Sequence, residues 1–167
     1  GYYTSGFQAE EKYGFDMSKE ALKHASKNDP STQYAVASIF RLPLEDASCD
    51  TAVTCFAPFA KDEIERVLTQ GGRFFFVSPG PKHLFELKQL IYDTPYENEM
   101  KDLETTLVKE EEYFISNTFH CEKENLISLF KMTPYYHRTR NEDIDKINHQ
   151  DGMDITAEFL IRVYQKR

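Results

Sequence analysis

The sequence has no apolar run approaching the ~18 residues that a bilayer span requires, and no leader-like segment at its start. A membrane-spanning or exported protein is therefore not expected, and a cytoplasmic one is. Its three cysteines, Cys49, Cys55 and Cys121, form no C-x-x-C pair. That spacing argues against both a disulfide framework and a structural zinc site, and no metal is expected. Repeats and low-complexity tracts are also missing, which removes solenoids and disordered linkers. Positive charge is short: the net charge is −8, whereas a free-standing nucleic-acid binder usually carries a basic footprint.

The 167 residues are 40% hydrophobic and 14% aromatic, enough for one compact α/β domain spanning 1–167. Tyr13 to Asp16 reads as a short strand closed by an acid, and Ser18 as the N-cap of a helix running to about Lys27. Gln33 to Ala37 and Asp50 to Phe56 read as strands. Lys61 to Leu68 reads as a helix ended by Gly71-Gly72. Arg73 to Ser78 has the continuous apolar character of a strand buried on both faces. Phe7 to Lys12 has room for barely two helical turns, and Lys82 to Tyr92 reads as a helix. Glu112 to Cys121 reads as a strand, and Glu122 to Met132 and Glu142 to His149 as helices. Ile155, Ala157, Phe159, Ile161 and Val163 alternate as on a final strand. Strands and helices in alternation imply a mostly parallel sheet, with an antiparallel strand at the carboxyl end. Acidic residues from Glu97 to Glu112 read as a solvated helix face or loop.

Several residues suit a ligand site in such a sheet. An acid ending a strand, as Asp16 does, can accept hydrogen bonds from ribose hydroxyls. Cys55, Phe56, Ala57 and Pro58 fall at a strand's carboxyl end, where ligands of open α/β sheets bind. His83 and Glu86 share one helix face, and Lys82 and Lys88 add charge suited to phosphate. Tyr135, Arg138 and Arg140 combine stacking rings with phosphate-binding cations.

Tyr2-Tyr3-Thr4, Gly14 to Lys19, Arg41-Leu42-Pro43, Pro79 to Lys88 and Met132-Thr133-Pro134 occur in an order that resembles the class I S-adenosylmethionine methyltransferases. The run Pro79-Gly80-Pro81-Lys82-His83-Leu84-Phe85-Glu86-Leu87-Lys88 narrows the resemblance to the bacterial 23S ribosomal RNA guanine-N1 methyltransferases. It implies a Rossmann-like sheet, S-adenosylmethionine as cofactor and a guanine in a 23S rRNA hairpin loop as substrate. Gly1 would be the last glycine of the cofactor loop, followed by Tyr2. Met17 would lie along the adenine, and Ser38 with the Ile39 amide would hold its amino group. Leu42 would wall the pocket, and Cys55 and Phe56 would reach the cofactor. Ala57, Pro58, Lys82, His83, Tyr135 and Arg138 would contact RNA, with Glu86 or His83 as the base. The resemblance also implies that the first strand and most of the Gly-rich loop are absent from this sequence, along with the family's N-terminal zinc domain. Residues are then missing before Gly1 and near Phe7 to Glu10, which the mass of the purified chain would check. One branch of the family confers macrolide resistance. A small-molecule methyltransferase with the Tyr96 to Tyr113 segment as a lid, and a cofactor-binding module without activity, stay open as alternatives. So does a homodimer.

Overall fold

The computed structural model describes residues 4–167. After a single 3-10 turn at Thr4–Gly6, strand β1 (Tyr13–Asp16) leads into helix α1 (Lys19–Asn28) and strand β2 (Gln33–Val36). Residues 7–12 contain no helix, contrary to the two turns expected there. The α1 start is fixed locally. Ser18 is extended, and its hydroxyl accepts from the Ala21 amide at 3.2 Å, satisfying one of the helix's orphan donors. Leu22 and Ala25 form the buried side of α1. Asp29 ends it, accepting from Lys12 Nζ, Ser31 and Thr32, and these bonds hold its carboxylate well below the usual range.

Strand β3 (Cys49–Cys55) precedes helix α2 (Lys61–Val67), and strand β4 (Leu68–Pro79) follows without a separating turn. Gly71-Gly72 therefore does not close the helix; it lies inside β4. A register shift between Cys49 and Thr51 absorbs the pair, with Gly71 at φ +82°. A Cβ on Gly72 would stand 2.9 Å from the Thr69 carbonyl, so the bulge needs glycine at both positions.

Helix α3 spans only Phe85–Ile91, because Leu84 adopts the left-handed conformation (φ 54°) and the chain from Gly80 to His83 turns before it. Strand β5 (Val108–Glu122), helices α4 (Lys123–Lys131) and α5 (Asn141–Asn148) and strand β6 (Gly152–Gln165) complete the chain. Both β5 and β6 exceed their expected lengths, since they pair along one long hairpin ladder from Val108↔Gln165 to Glu122↔Gly152.

The larger sheet has the order β3-β4-β6-β5. Strands β3 and β4 are parallel, and β6 runs against both β4 and β5, giving the expected antiparallel carboxyl-terminal strand. Strands β1 and β2 form a separate parallel pair. The Tyr13 hydroxyl, on β1, is pushed up by its bond to Glu11 and, more weakly, by the charge of Cys49 at the start of β3. No ladder joins them among the described residues.

Two apolar clusters clasp the larger sheet. Ile64 and Leu68 pack with Phe74, Tyr164 and Leu107. Leu87, Ile91, Leu126, Phe130 and Ile147 pack on Ile155 and Cys121. Residues 97–107 form an irregular segment, and Glu110, Glu111 and Glu112 lie on β5, so the acidic run is not a helix.

Candidate active site

The carboxyl ends of the parallel strands carry the polar groups. Asp16 ends β1 in register with Val36 of β2. The Ser18 amide donates to Asp16 Oδ1 at 2.7 Å, which aims the carboxylate while no described donor reaches its other oxygen. Met17 (70% exposed) follows it in sequence and Val36 (55%) is its ladder partner, and Phe40 (62%) is a further exposed apolar side chain in the turn after β2. Two acceptor oxygens beside an uncovered apolar patch fit a ribose-bearing adenine: vicinal hydroxyls suit the carboxylate, and the ring suits the apolar faces. Ser38 and Arg41 form an isolated bridge, and the Phe40 amide donates to Ser38 Oγ at 3.3 Å. The hydroxyl proton of Ser38 has no acceptor among the described residues. Ile39 sits in the same turn, whereas the Leu42 amide is taken by Glu63 Oε1 at 2.6 Å, leaving only the Leu42 side chain for a pocket wall. Phe40 escaped the sequence reading, although it follows Ser38-Ile39 directly. The proposed contacts of Gly1 and Tyr2 lie outside the described residues.

At the end of β3, Cys55 is exposed, but burial of its sulfur pushes the thiol up, which disfavours nucleophilic chemistry. Phe56 is left-handed (φ 53°), and its amide donates to the Val77 carbonyl at 2.9 Å. A bulky residue in that region stores roughly 1–3 kcal/mol, which the surrounding structure must hold. The conformation places the Phe56 ring, 51% exposed, with its centroid 5.3 Å from the His83 imidazole and 5.8 Å from Phe159. His83 and Phe159 are 5.3 Å apart, completing an aromatic group of three. Ala57 and exposed Pro58 continue the loop.

His83 is drawn down from its ordinary pKa by burial; the carbonyl and carboxylate of Glu158 oppose this and are outweighed. Its Nδ1 is enclosed with no hydrogen-bond partner among the described residues. A neutral imidazole kept half inside the protein can accept a proton. The segment carrying it is clamped. The Lys82 amide donates to Glu158 Oε2 at 2.7 Å, and the Leu84 amide to the Thr156 carbonyl at 2.8 Å. A Cβ on Gly80 would meet Glu158 Cβ at 2.7 Å, so only glycine lets the loop lie this close to β6. The Lys82 side chain is exposed and has no ion-pair partner among the described residues.

Three other candidates have different work. Glu86 accepts from the Thr156 amide at 3.0 Å and the Thr156 hydroxyl at 2.5 Å, so both carboxylate oxygens tie α3 to β6. Lys88 is 1% exposed and cannot meet a phosphate; its Nζ donates to the Tyr96 carbonyl at 3.0 Å and Asn98 Oδ1 at 2.7 Å, 4.5 Å from the Tyr96 ring centre. Asn98 in turn donates through Nδ2 to the Gly80 carbonyl at 2.8 Å and through its amide to the Pro81 carbonyl at 2.9 Å. Tyr135 packs on Phe130 and Tyr92, and burial pushes its hydroxyl up to about 12, so it belongs to the core. Arg138 is exposed and lines a small cavity of about 150 Å³ with Tyr92, Arg140 and Asp143, away from the Phe56 group.

A methyltransferase-domain family profile matches residues 1–76. Over that stretch, a little under half of its length, the chain is similar to the methyltransferase-domain family. It is 28% identical over 92% of its length to a Bacillus subtilis protein described as a candidate 23S rRNA (guanine-N1)-methyltransferase, and covers 56% of that relative. Over 48% of its length it is 39% identical to the 23S rRNA (guanine(748)-N(1))-methyltransferase of Streptomyces fradiae, covering 29% of it. The chain thus spans about half, or less, of these relatives. A candidate methyltransferase of Bacillus halodurans shares the fold, with TM-score 0.57 at 14% identity over 92% of this chain and 82% of that one. The Asp16 end of the β1–β2 pair suits S-adenosylmethionine, the cofactor that the resemblance implies. Among the described residues no His/Cys/Asp/Glu group of three is placed to hold a metal, and no helix is long and apolar enough to cross a membrane.

Proposed function

We propose that the chain is the catalytic part of a cytoplasmic S-adenosylmethionine-dependent methyltransferase acting on guanine N1 in a loop of 23S ribosomal RNA. The observation that carries the reading is the aromatic group at the end of β3 and β4: the strained, exposed Phe56 ring beside a half-buried neutral His83. The guanine-N1 relatives support the choice of acceptor.

When bound, S-adenosylmethionine supplies an electrophilic methyl group on sulfur. The residues of the chain do the rest. Asp16 holds ribose hydroxyls, and Met17 and Phe40 flank the adenine. Phe56 and Phe159 offer faces on which an unstacked base can lie. Pro58 and Ala57 border it, and Lys82 meets the adjoining phosphate. Guanine N1 must shed its proton as the new N–C bond forms, and His83 receives that proton. Alignment and exclusion of water account for most of the acceleration in such displacements. The cleft beneath residues 99–103 is open, with Met100 53% exposed, so it is not the closed apolar pocket a small-molecule acceptor would want.

The test combines two measurements. Calorimetry with S-adenosylhomocysteine reports cofactor binding, and mass analysis of nucleosides from a treated 23S rRNA hairpin reports the product. N1-methylguanosine that disappears in Asp16→Ala and His83→Asn bears the reading out. Cofactor binding with methylation at another atom, or with none, refutes the acceptor. No cofactor binding refutes the enzyme.

A further inference from the structure

The loop that carries His83 hangs on β6. Its amides at Gly80, Lys82 and Leu84 all donate to that strand: Gly80 to the Glu158 carbonyl at 2.9 Å, Lys82 to Glu158 Oε2 at 2.7 Å, and Leu84 to the Thr156 carbonyl at 2.8 Å. Glu158 supplies two of these three acceptors. It is 7% exposed, and it is the only charged residue between Asp154 and Arg162 in the sequence. Ser116, its ladder partner on β5, donates to Oε1 at 3.4 Å. Among the described residues no lysine or arginine pairs with it. The next residue, Phe159, sets its ring 5.3 Å from the imidazole of His83.

A buried carboxylate without a cationic partner is costly. Holding a backbone amide does not require one, since the carbonyl of a neutral glutamine accepts from N–H as well. What glutamine lacks is the charge. In the proposed reaction a proton passes from guanine N1 to His83, and the ring goes from neutral to positive while the carboxylate takes no proton. A negative charge nearby favours the second state. The ionisable groups that act on the ring are Glu158 from β6, which makes it more basic, and Lys88 from α3, which works with burial to make it less so. Lys82, beside it in the loop, is exposed, and both Glu86 oxygens are tied to Thr156. The Phe56 and Phe159 rings bring no charge. Glu158 is thus the counterweight to burial at His83.

We propose that Glu158 is a positioning residue for His83: its carboxylate fixes the loop through the Lys82 amide and supplies the negative charge that steadies the imidazolium once the ring has taken a proton. Its part in turnover rests on the function proposed above; its hold on the ring does not.

The His83 ring protons are followed by NMR from about pH 4 to pH 8 in the wild type, Glu158→Gln and Glu158→Asp. Gln keeps the acceptor and the volume and removes the charge, so His83 titrates lower by about half to one pH unit. A role in holding the loop alone gives the opposite sign, because a loosened loop admits water and a wetter imidazole charges more readily. Asp keeps the charge and draws it back by a methylene, and His83 then stays within about half a unit of the wild type. In turnover, kcat of Glu158→Gln falls about three- to tenfold with KM for the RNA hairpin unchanged. The acid limb of its kcat–pH profile moves down with the NMR value, since a weaker base loses its proton at lower pH. An unmoved or raised His83 titration in Glu158→Gln overturns the proposal. So does a rise beyond about half a unit in Glu158→Asp, which decides alone if the Gln variant does not fold. A lowered titration with no N1-methylguanosine from the wild type keeps the hold on the ring and sinks the function. N1-methylguanosine formed by Glu158→Gln at the wild-type rate, with the acid limb unmoved, keeps the function and sinks the role of Glu158.

Discussion

Replacing Lys88 by Met tests whether a buried ammonium holds the His83 loop. Met nearly matches the volume of the lysine stem, so little cavity forms. What is lost is the donor to the Tyr96 carbonyl and to Asn98 Oδ1, bonds of 3.0 and 2.7 Å, together with the contact to the Tyr96 ring. Leaving a buried acceptor unmade costs roughly 1–3 kcal/mol. Two acceptors set against the relief of unburying a charge leave a net loss of about 2–4 kcal/mol. For a domain of this size that is a fall in Tm of about 5–15 °C. Burial also draws the Lys88 pKa down. The unfolded chain therefore binds the extra proton between the lowered value and the ordinary one, and wild-type stability rises with pH across that window. The Met variant lacks this rise. Differential scanning calorimetry at pH 7, and at a series of pH values up to 10.5, measures both effects. Because Asn98 also holds the Gly80 and Pro81 carbonyls, the NMR titration of His83 moves as well. Unchanged Tm, together with an unchanged His83 titration, would refute the clamp.

Glu86→Gln weakens the tie to Thr156 and lowers stability by about 1–2 kcal/mol in urea unfolding, while kcat falls far less than in His83→Asn, where a lost proton acceptor reduces it by about 10²–10⁴. If Glu86 were the base, that order would reverse. His83 is held neutral by burial, so the unfolded chain takes up a proton near its ordinary value of about 6.5 before the folded one does. Stability is full above that value and falls as pH drops through it to the lowered folded value; His83→Gln flattens the pH 5–7 portion of the curve. Asp16→Ala weakens S-adenosylhomocysteine binding by at least about tenfold in calorimetry without moving Tm appreciably, since among the described residues its side chain makes one bond, to an exposed amide. Phe56→Gly relieves the left-handed strain and leaves or raises Tm, yet slows methylation by removing the stacking face.

Local chemistry made much of the fold legible. Ser18 and Asp29 bracket α1 because a side-chain acceptor and a helix-ending Asp-Pro act within a few residues. The alternation from Ile155 to Val163 marked β6 because the pleat imposes a period of two. Asp16 and the Phe56–Pro58 loop could be placed at strand ends for the same reason. Gly71-Gly72 misled, since a glycine pair marks a helix stop and a strand bulge equally well, and only the pairing of β3 with β4 chose the bulge. The roles of Glu86, Lys88 and Tyr135 were likewise not in the sequence. Each has a side chain suited to chemistry, and each is diverted by partners distant along the chain: Thr156, Asn98 and Phe130. Sequence determined which segments extend or coil and which carry acids, rings and cations, because those properties depend on near neighbours. Tertiary structure decided which of those groups face ligand and which are spent on the protein itself, because burial and hydrogen-bond partners are set by contacts between residues far apart in the chain.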